Sequence, residues 1–197
     1  MLSDSSGLLT LESTGTSRSR SFETTLAYRG PNAGNEFYVS YVRAQTRGNL
    51  NSFDLIEGVA KEPFVQPDAI GPLAADVPNR LLAWGVLHLP REIDLAPFLE
   101  IRDGFPYSAI GEDWTYAGAR NTYRFPWFGS VDLYINKVFR LSNHLPAARI
   151  GLKVYSVVSV HSERDVQRDI ARADFGMYYN AIPRDFAAVF ELLWGNK

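Results

Sequence analysis

Apolar and polar residues alternate with a period of two along most of the chain, in segments of about ten residues. The clearest example runs from Phe22 to Arg29, where Phe22, Thr24, Leu26 and Tyr28 fall on one face and the intervening residues on the other. Such alternation is typical of strands with one apolar face. The pattern predicts eight strands, at residues 8–13, 22–29, 36–45, 79–89, 93–103, 130–141, 148–159 and 185–194.

The connections between these segments alternate between short and long. The short ones are residues 29–36, 90–92 and 142–147, and the long ones are residues 47–78, 104–123 and 160–184. Only the first connection, residues 14–21, is short for its place in this order. In the last long connection, Ser162 as an N-cap, with Val166 and Ile170 one helical turn apart, predicts a short helix.

This rhythm favours a membrane barrel over a soluble sandwich, because outer-membrane barrels have short periplasmic turns and long extracellular loops. The polar faces of the strands agree, since Glu100 with Arg102, Asp132 with Arg140, and Arg149 with Lys153 suit a wet lumen better than a dry core. Lys137 stands on an apolar side, where it either reaches towards the interface or marks a bulge. The sequence therefore predicts an all-β fold: an antiparallel up-and-down transmembrane β-barrel segment of about eight strands, with long extracellular loops and one short loop helix.

Composition narrows the remaining classes. The chain has 197 residues, a net charge of -2 and a pI near 5.9, so no basic stripe supports binding to nucleic acid. It has no cysteine, and no stretch of roughly 18 apolar residues that would form a membrane-spanning helix. Residues 1–7 lack the basic and apolar regions of a secretory signal, which predicts a fragment of a longer exported protein.

Several short strings occur in order along nearly the whole chain. The most specific are Arg164-Asp165-Val166-Gln167, Asp174-Phe175-Gly176 and Tyr179-Asn180, before a final strand rich in aromatic residues. Earlier strings include Glu12 to Ser17, Asp76 to Arg80, Asp103 to Ser108, Arg124-Phe125-Pro126, Val131-Asp132-Leu133 and Lys137-Val138-Phe139.

Together these strings resemble the C-terminal barrel of TonB-dependent receptors, specifically the Oar-like group that carries a carboxypeptidase-regulatory-like domain. The chain departs from the family in ending Gly195-Asn196-Lys197 after Trp194, where such barrels end on an aromatic residue. It is also shorter than a complete receptor, with room for about eight of its strands.

The resemblance implies that residues 1–197 are a partial receptor barrel domain without its plug, in the outer membrane of a Gram-negative bacterium. Such a fragment forms part of the lumen wall and the extracellular loops of a transporter. Its expected partners are outer-membrane lipid, the remainder of the receptor (plug and missing strands), an unknown substrate, and the TonB complex only through the absent plug. Two alternatives stay open: a small eight-stranded barrel with a structural or adhesive role, and a soluble β-barrel binding protein.

Catalytic and metal sites are not predicted. His88, His144 and His161 are scattered without ligand spacing, and the acidic pairs in the loops lack the alternating pattern of a calcium loop. We therefore expect no enzyme activity, no metal and no cofactor. The candidate ligand-binding residues are aromatic residues of the long loops, which have no core to fill: Trp114, Tyr116, Tyr178 and Tyr179.

Overall fold

The computed structural model describes residues 15–31, 34–49, 70–112, 115–140 and 146–194. In these ranges the chain forms strands joined by turns and irregular segments, without a helix. The strands are β1 (Ser17–Arg29), β2 (Glu36–Gly48), β3 (Gly71–Pro72), β4 (Asn79–Leu89), β5 (Ile93–Arg102), β6 (Pro106–Tyr107), β7 (Tyr123–Arg124), β8 (Phe128–Phe139), β9 (Ala147–Val160), β10 (Glu163–Val166), β11 (Tyr178–Ala181) and β12 (Asp185–Leu193).

One eight-stranded antiparallel sheet organises the molecule. Its seven long strands follow one another in chain order, β1-β2-β4-β5-β8-β9-β12, and the short β3 pairs with the end of β2. Residues 30–35, 90–92 and 140–146 join strands at one end of the sheet, which we call the turn end. Residues 49–78, 103–127 and 161–184 join them at the other end, which we call the loop end. Two small sheets, β6-β7 and β10-β11, lie within the loop-end connections.

The register divides the sheet into two chemically different faces. Residues directly opposite each other share a face, so the chain of partners Leu26↔Val39↔Ala83↔Leu99↔Val131 is apolar across five strands. The same face continues through Ile135↔Leu152↔Ala188 to β12. We call it the apolar face. The opposite polar face carries ion pairs between Arg29 and Glu36, Arg80 and Glu100, and Arg149 and Glu191, and a hydrogen bond between His88 and Asp94.

The hydrophobic core of the described residues lies outside this sheet. The buried apolar side chains are Pro106, Tyr107, Ala109, Ile110, Phe125 and Val166, all in the connections at the loop end. Tyr107, Phe125 and Val166 form one cluster, against which Tyr178 packs. Large side chains of the apolar face stay exposed, among them Phe22, Leu26, Ile150, Phe186 and Phe190. The long connections therefore form a packed layer of their own, the loop layer, while the apolar face is uncovered.

The strand prediction is confirmed for the seven long strands, as is their division into faces. Two strand ends differ by three residues or more: β1 begins at Ser17, so the predicted connection at residues 14–21 is wrong over residues 17–21, and β2 extends to Gly48. The other strand ends agree to within two residues. The strand predicted at residues 8–13 lies outside the described residues, and the eighth strand of the sheet is the short β3.

The predicted loop helix is wrong. Residues 163–166 form β10, which pairs with β11 through Asp165↔Tyr179 and Val166↔Tyr178. The four-residue spacing of Val166 and Ile170 does not mark one face of a helix, because Val166 packs in the loop-layer core whereas Ile170 is exposed. Pairing with a distant strand satisfied the backbone of this segment better than two isolated helical turns would.

Lys137 keeps its place on the apolar face. It lies opposite Ile93 and Ile150, without a register shift at that position, and its ammonium group lies 5.0 Å from the centre of the Phe139 ring. The register shift between β8 and β9 falls instead between Val131 and Leu133, where the backbone N–H of Ser156 donates to Asp132 at 2.7 Å. The pairing of β8 with β9 is irregular there, but the side chains on both sides of the shift stay on the same face of the sheet.

A closed barrel is not seen. The order of strands ends at β1 and β12, and neither pairs with a further strand among the described residues. No described segment is a helix long and apolar enough to cross a membrane.

Candidate functional site

A cleft opens between the polar face and the loop layer, at the loop end of the sheet. We call it the loop cleft; its volume is about 750 Å³. One side is formed by Arg80 of β4 with Glu100 and Arg102 of β5, and the other by the β10-β11 hairpin, including Glu163, Asp165 and Asn180. Strand alternation puts the β4 and β5 side chains into the cleft, because residues 80, 100 and 102 all belong to the polar face.

A compact charged group forms the sheet side of the cleft. The Arg80 Nε lies 2.9 Å from the Glu100 carboxylate, and the Arg102 Nε lies 3.4 Å from the same oxygen. The Arg102 guanidinium also lies over the rings of Phe105 and Phe128, 4.2 and 4.5 Å from their centres. Since Glu100 and Arg102 are mostly buried and fixed by several partners, this group presents a preorganised polar surface to the cleft.

The opposite side of the cleft is held by the loop-layer core. Val166 and Tyr178 are opposite each other in the β10-β11 ladder and join Phe125 and Tyr107 in the core. The Phe125 and Tyr178 ring centres are 5.2 Å apart, and those of Phe125 and Tyr107 are 5.5 Å apart. Burial and the hydrogen bond with Tyr178 raise the pKa of the Tyr107 phenol, so this group stays neutral at physiological pH.

Buried hydrogen bonds tie the loop layer to the sheet. The hydroxyl of Ser108 accepts from the Asn121 backbone at 2.9 Å, and the Asn121 amide donates to the Pro72 carbonyl at 2.7 Å. Arg124 donates to the backbone oxygens of Asp76 and Gly104 and pairs with the Asp76 carboxylate. Gly104 is needed here, because a Cβ at this position would lie 1.9 Å from the Phe125 carbonyl oxygen. The cleft therefore has a rigid frame.

The predicted ligand-binding aromatics do not come together as one set. Trp114 lies outside the described residues. Tyr116 is partly buried beside Ile110, and Tyr178 packs on the loop-layer core. Tyr179 points to solvent with 47% of its surface exposed. The premise that these residues have no core to fill does not hold for Tyr178, and ligand binding by all four stays a prediction.

The cleft residues themselves were not singled out by sequence reasoning. Glu100 and Arg102 were assigned to a wet face and Arg80 only to a strand, and the cleft that they line depends on the hairpin that replaces the predicted helix. A signal was present, because Asp165 and Asn180 belong to the most specific strings of the resemblance. The Asn180 amide donates to Asp165 at 2.5 Å across the hairpin.

Chemically, the cleft suits a polar solute. Its walls offer guanidinium groups from Arg80, Arg102 and Arg164 and carboxylates from Glu163 and Asp165, close to the faces of aromatic rings. A cleft with both cationic and anionic side chains offers hydrogen-bond donors and acceptors together, which suits hydroxylated or zwitterionic molecules.

A second cleft, of about 590 Å³, lies at the loop end of β1 and β2, where Arg20, Arg43 and Arg47 line it together with Asp76 and Arg124.

No protein-family model, no curated protein and no solved structure matches this chain.

Proposed function

We propose that the chain forms part of the wall of an outer-membrane β-barrel in a Gram-negative bacterium, belonging to a transporter of the TonB-dependent receptor type. The apolar face contacts lipid, the polar face lines the lumen, and the loop layer faces the cell exterior. In this assignment the loop cleft contacts the substrate on its way into the lumen.

The observation that carries the proposal is the distribution of buried apolar side chains. All those fully buried in the described residues belong to the loop layer, although the sheet has seven long strands with a continuous apolar face. A soluble sheet covers such a face with a second layer, because each large side chain taken out of water stabilises the fold by about 1.5–3 kcal/mol. The hydrocarbon of a membrane can cover the apolar face without a second layer of protein.

Strand length and connections support the same proposal. The seven long strands have 9 to 14 residues, and a strand needs about 9–11 residues to cross the hydrocarbon at a tilt. The loop end carries all three long connections, as the outer side of a bacterial barrel does. The polar face, with its cross-strand ion pairs, suits a water-filled interior.

The direction of the edge strands supports the presence of further strands. Both β1 and β12 run from the loop end to the turn end, so joining them directly requires a parallel pair. An antiparallel barrel closes only with an odd number of additional strands between them. Unpaired edges are unfavourable in lipid, because backbone N–H and C=O groups find no water there. We propose that the remaining strands of the receptor fill this gap.

The same requirement for an odd number of additional strands favours a second candidate, a small barrel with a structural or adhesive role. One additional strand between β1 and β12 makes eight long strands, with the two-residue β3 not counted, and eight is the number found in the smallest bacterial barrels. Single-channel conductance in planar bilayers separates the candidates, since an eight-stranded barrel is filled by its own side chains whereas a receptor barrel without its plug has a wide lumen.

Spin labelling of the full chain in phosphatidylcholine vesicles tests the proposal directly. The chain has no cysteine, so single cysteines carry the label without background. We expect labels at Ile135, Leu152 and Phe190, on the apolar face, to collide with oxygen dissolved in the lipid. Labels at the sequence neighbours Tyr134, Lys153 and Val189, on the polar face, should collide with a water-soluble nickel chelate.

The three neighbouring pairs serve as matched controls, because each pair shares one strand and nearly one depth. Accessibility that fails to alternate between oxygen and nickel along β8, β9 and β12 would contradict a lipid-facing sheet. Nickel access at all six positions would instead support a sheet in water.

A further inference from the structure

Four arginines project from the apolar face at the loop end of β1 and β2. Arg18 and Arg47 are directly opposite each other, Arg20 is opposite Gln45, and Arg43 is opposite Phe22. All four side chains are exposed. Like charges directly opposite each other on a sheet are destabilising, so an anion bound at this arginine pair would stabilise it.

The part of the chain that the structure describes supplies little compensating negative charge. Arg20, Arg43 and Arg47 line the cleft of about 590 Å³. Among the described residues that line it, the one carboxylate is that of Asp76, which already pairs with Arg124. Arg43 donates to the neutral amide oxygen of Asn79 at 2.7 Å, which leaves its charge in place. None of Arg18, Arg20, Arg43 and Arg47 pairs with a carboxylate of the described residues. The cleft thus combines a concave shape with an excess of guanidinium groups.

The position of the cleft indicates the source of the anion. Arg20 lies two residues from Phe22 on the same face of β1, or about 7 Å along the strand. From Phe22 towards the turn end this face presents Leu26, Tyr28 and their apolar partners on β2. A ligand that fits both parts carries an anionic group directly above a hydrocarbon chain.

We propose that this arginine cleft binds the phosphate group of an anionic membrane lipid at the outer rim of the sheet. The inference rests on the proposed function, since it needs the apolar face to contact lipid. Guanidinium groups bind phosphate oxygens through paired N–H donors, and several arginines converging on one cleft favour a phosphate that keeps its net negative charge over the zwitterionic headgroup of phosphatidylcholine. The bound lipid neutralises the Arg18–Arg47 pair and anchors the loop end of β1 and β2 at the headgroup level.

Lipid selectivity of the reconstituted full chain tests this site. Spin-labelled phosphatidic acid or phosphatidylcholine is added to the chain in phosphatidylcholine vesicles, and the motionally restricted fraction of each lipid is measured. We expect wild type to prefer phosphatidic acid by about fivefold. The triple variant Arg20→Gln, Arg43→Gln, Arg47→Gln should lose this preference while restricting phosphatidylcholine as before.

A second triple variant controls for net charge. Arg29→Gln, Arg140→Gln, Arg172→Gln removes three exposed guanidinium groups that already pair with Glu36, Glu92 and Asp174, and it should keep the preference. Equal selectivity in wild type and the first triple variant, or equal loss in both triple variants, overturns the site. Loss of the preference on adding inorganic phosphate at constant ionic strength supports recognition of the lipid through its phosphate group, whereas a preference that saturating phosphate leaves unchanged overturns it.

Failure of the proposed function gives a different result. If wild type restricts neither lipid, the sheet does not contact hydrocarbon, and the wall proposal fails together with the lipid site. If wild type restricts both lipids equally, only the phosphate site fails.

Discussion

Replacing Val39 with arginine lowers the stability of the sheet in phosphatidylcholine vesicles by about 2–4 kcal/mol, the cost of a lipid-facing cation near the middle of a bilayer. Val39 lies on the apolar face of β2, between Leu26 and Ala83, with 41% of its surface exposed. An arginine here has hydrocarbon on its outer side and apolar neighbours along the strands. Urea titration of the vesicle-bound chain, followed by tryptophan fluorescence, measures the loss.

Val86→Arg is the matched control. Val86 has the same side chain and nearly the same exposure, 36%, but it lies on the polar face of β4 opposite Glu36. In a lumen the new guanidinium meets water and a carboxylate, so we expect stability close to wild type. In water the two exposed valines are equivalent, and equal effects of both substitutions would sink the assignment of the apolar face to lipid.

Replacing Asp76 with alanine detaches the loop layer from the sheet and destabilises the loop end by about 3 kcal/mol. The Asp76 carboxylate, 3% exposed, accepts from the Thr46 backbone at 2.5 Å and pairs with Arg124. Its removal leaves a buried N–H without an acceptor and a guanidinium without its counter-ion. Amide hydrogen exchange should show faster opening at residues 103–127, while β8 and β9 keep their protection.

Asp174→Ala provides the comparison for this pair. Asp174 pairs with Arg172 at 2.9 Å, but both side chains are well exposed. Hydrogen bonding to Arg172 lowers the pKa of the Asp174 carboxyl, although solvent screens such exposed pairs and they add little stability. We expect unchanged exchange rates beyond the local turn. Equal loosening by both substitutions would mean that the loop layer depends on surface charge in general and not on the buried Asp76 contact.

The strands and their faces were predictable because strand alternation is a local property. From Ile93 to Arg102, every second side chain is placed on the face that its hydrophobicity indicates, and the bounds of β4 agree with the prediction. The short turns at residues 30–35 and 90–92 were predictable for the same reason, since Gly, Pro and Asn mark tight turns locally.

The loop layer was not predictable in this way. Residues 162–170 have a weak helical spacing, and only pairing with residues 178–181 makes residues 163–166 a strand. Likewise, Tyr178 looked like a free loop aromatic until Phe125 and Tyr107, far away in sequence, gave it a core. Tertiary contacts override weak local preferences when they satisfy buried backbone groups and remove aromatic surface from water.

By itself, the sequence determined the all-β architecture, the order of short and long connections, and the two faces of the sheet, because each follows from side-chain alternation and turn residues within one or two strands. Only the tertiary structure decided where the packed core lies, that Asp76 pairs with Arg124, and which arginines lie together beside β1. Those features join residues of different connections, and their free energy depends on distances that no local pattern encodes.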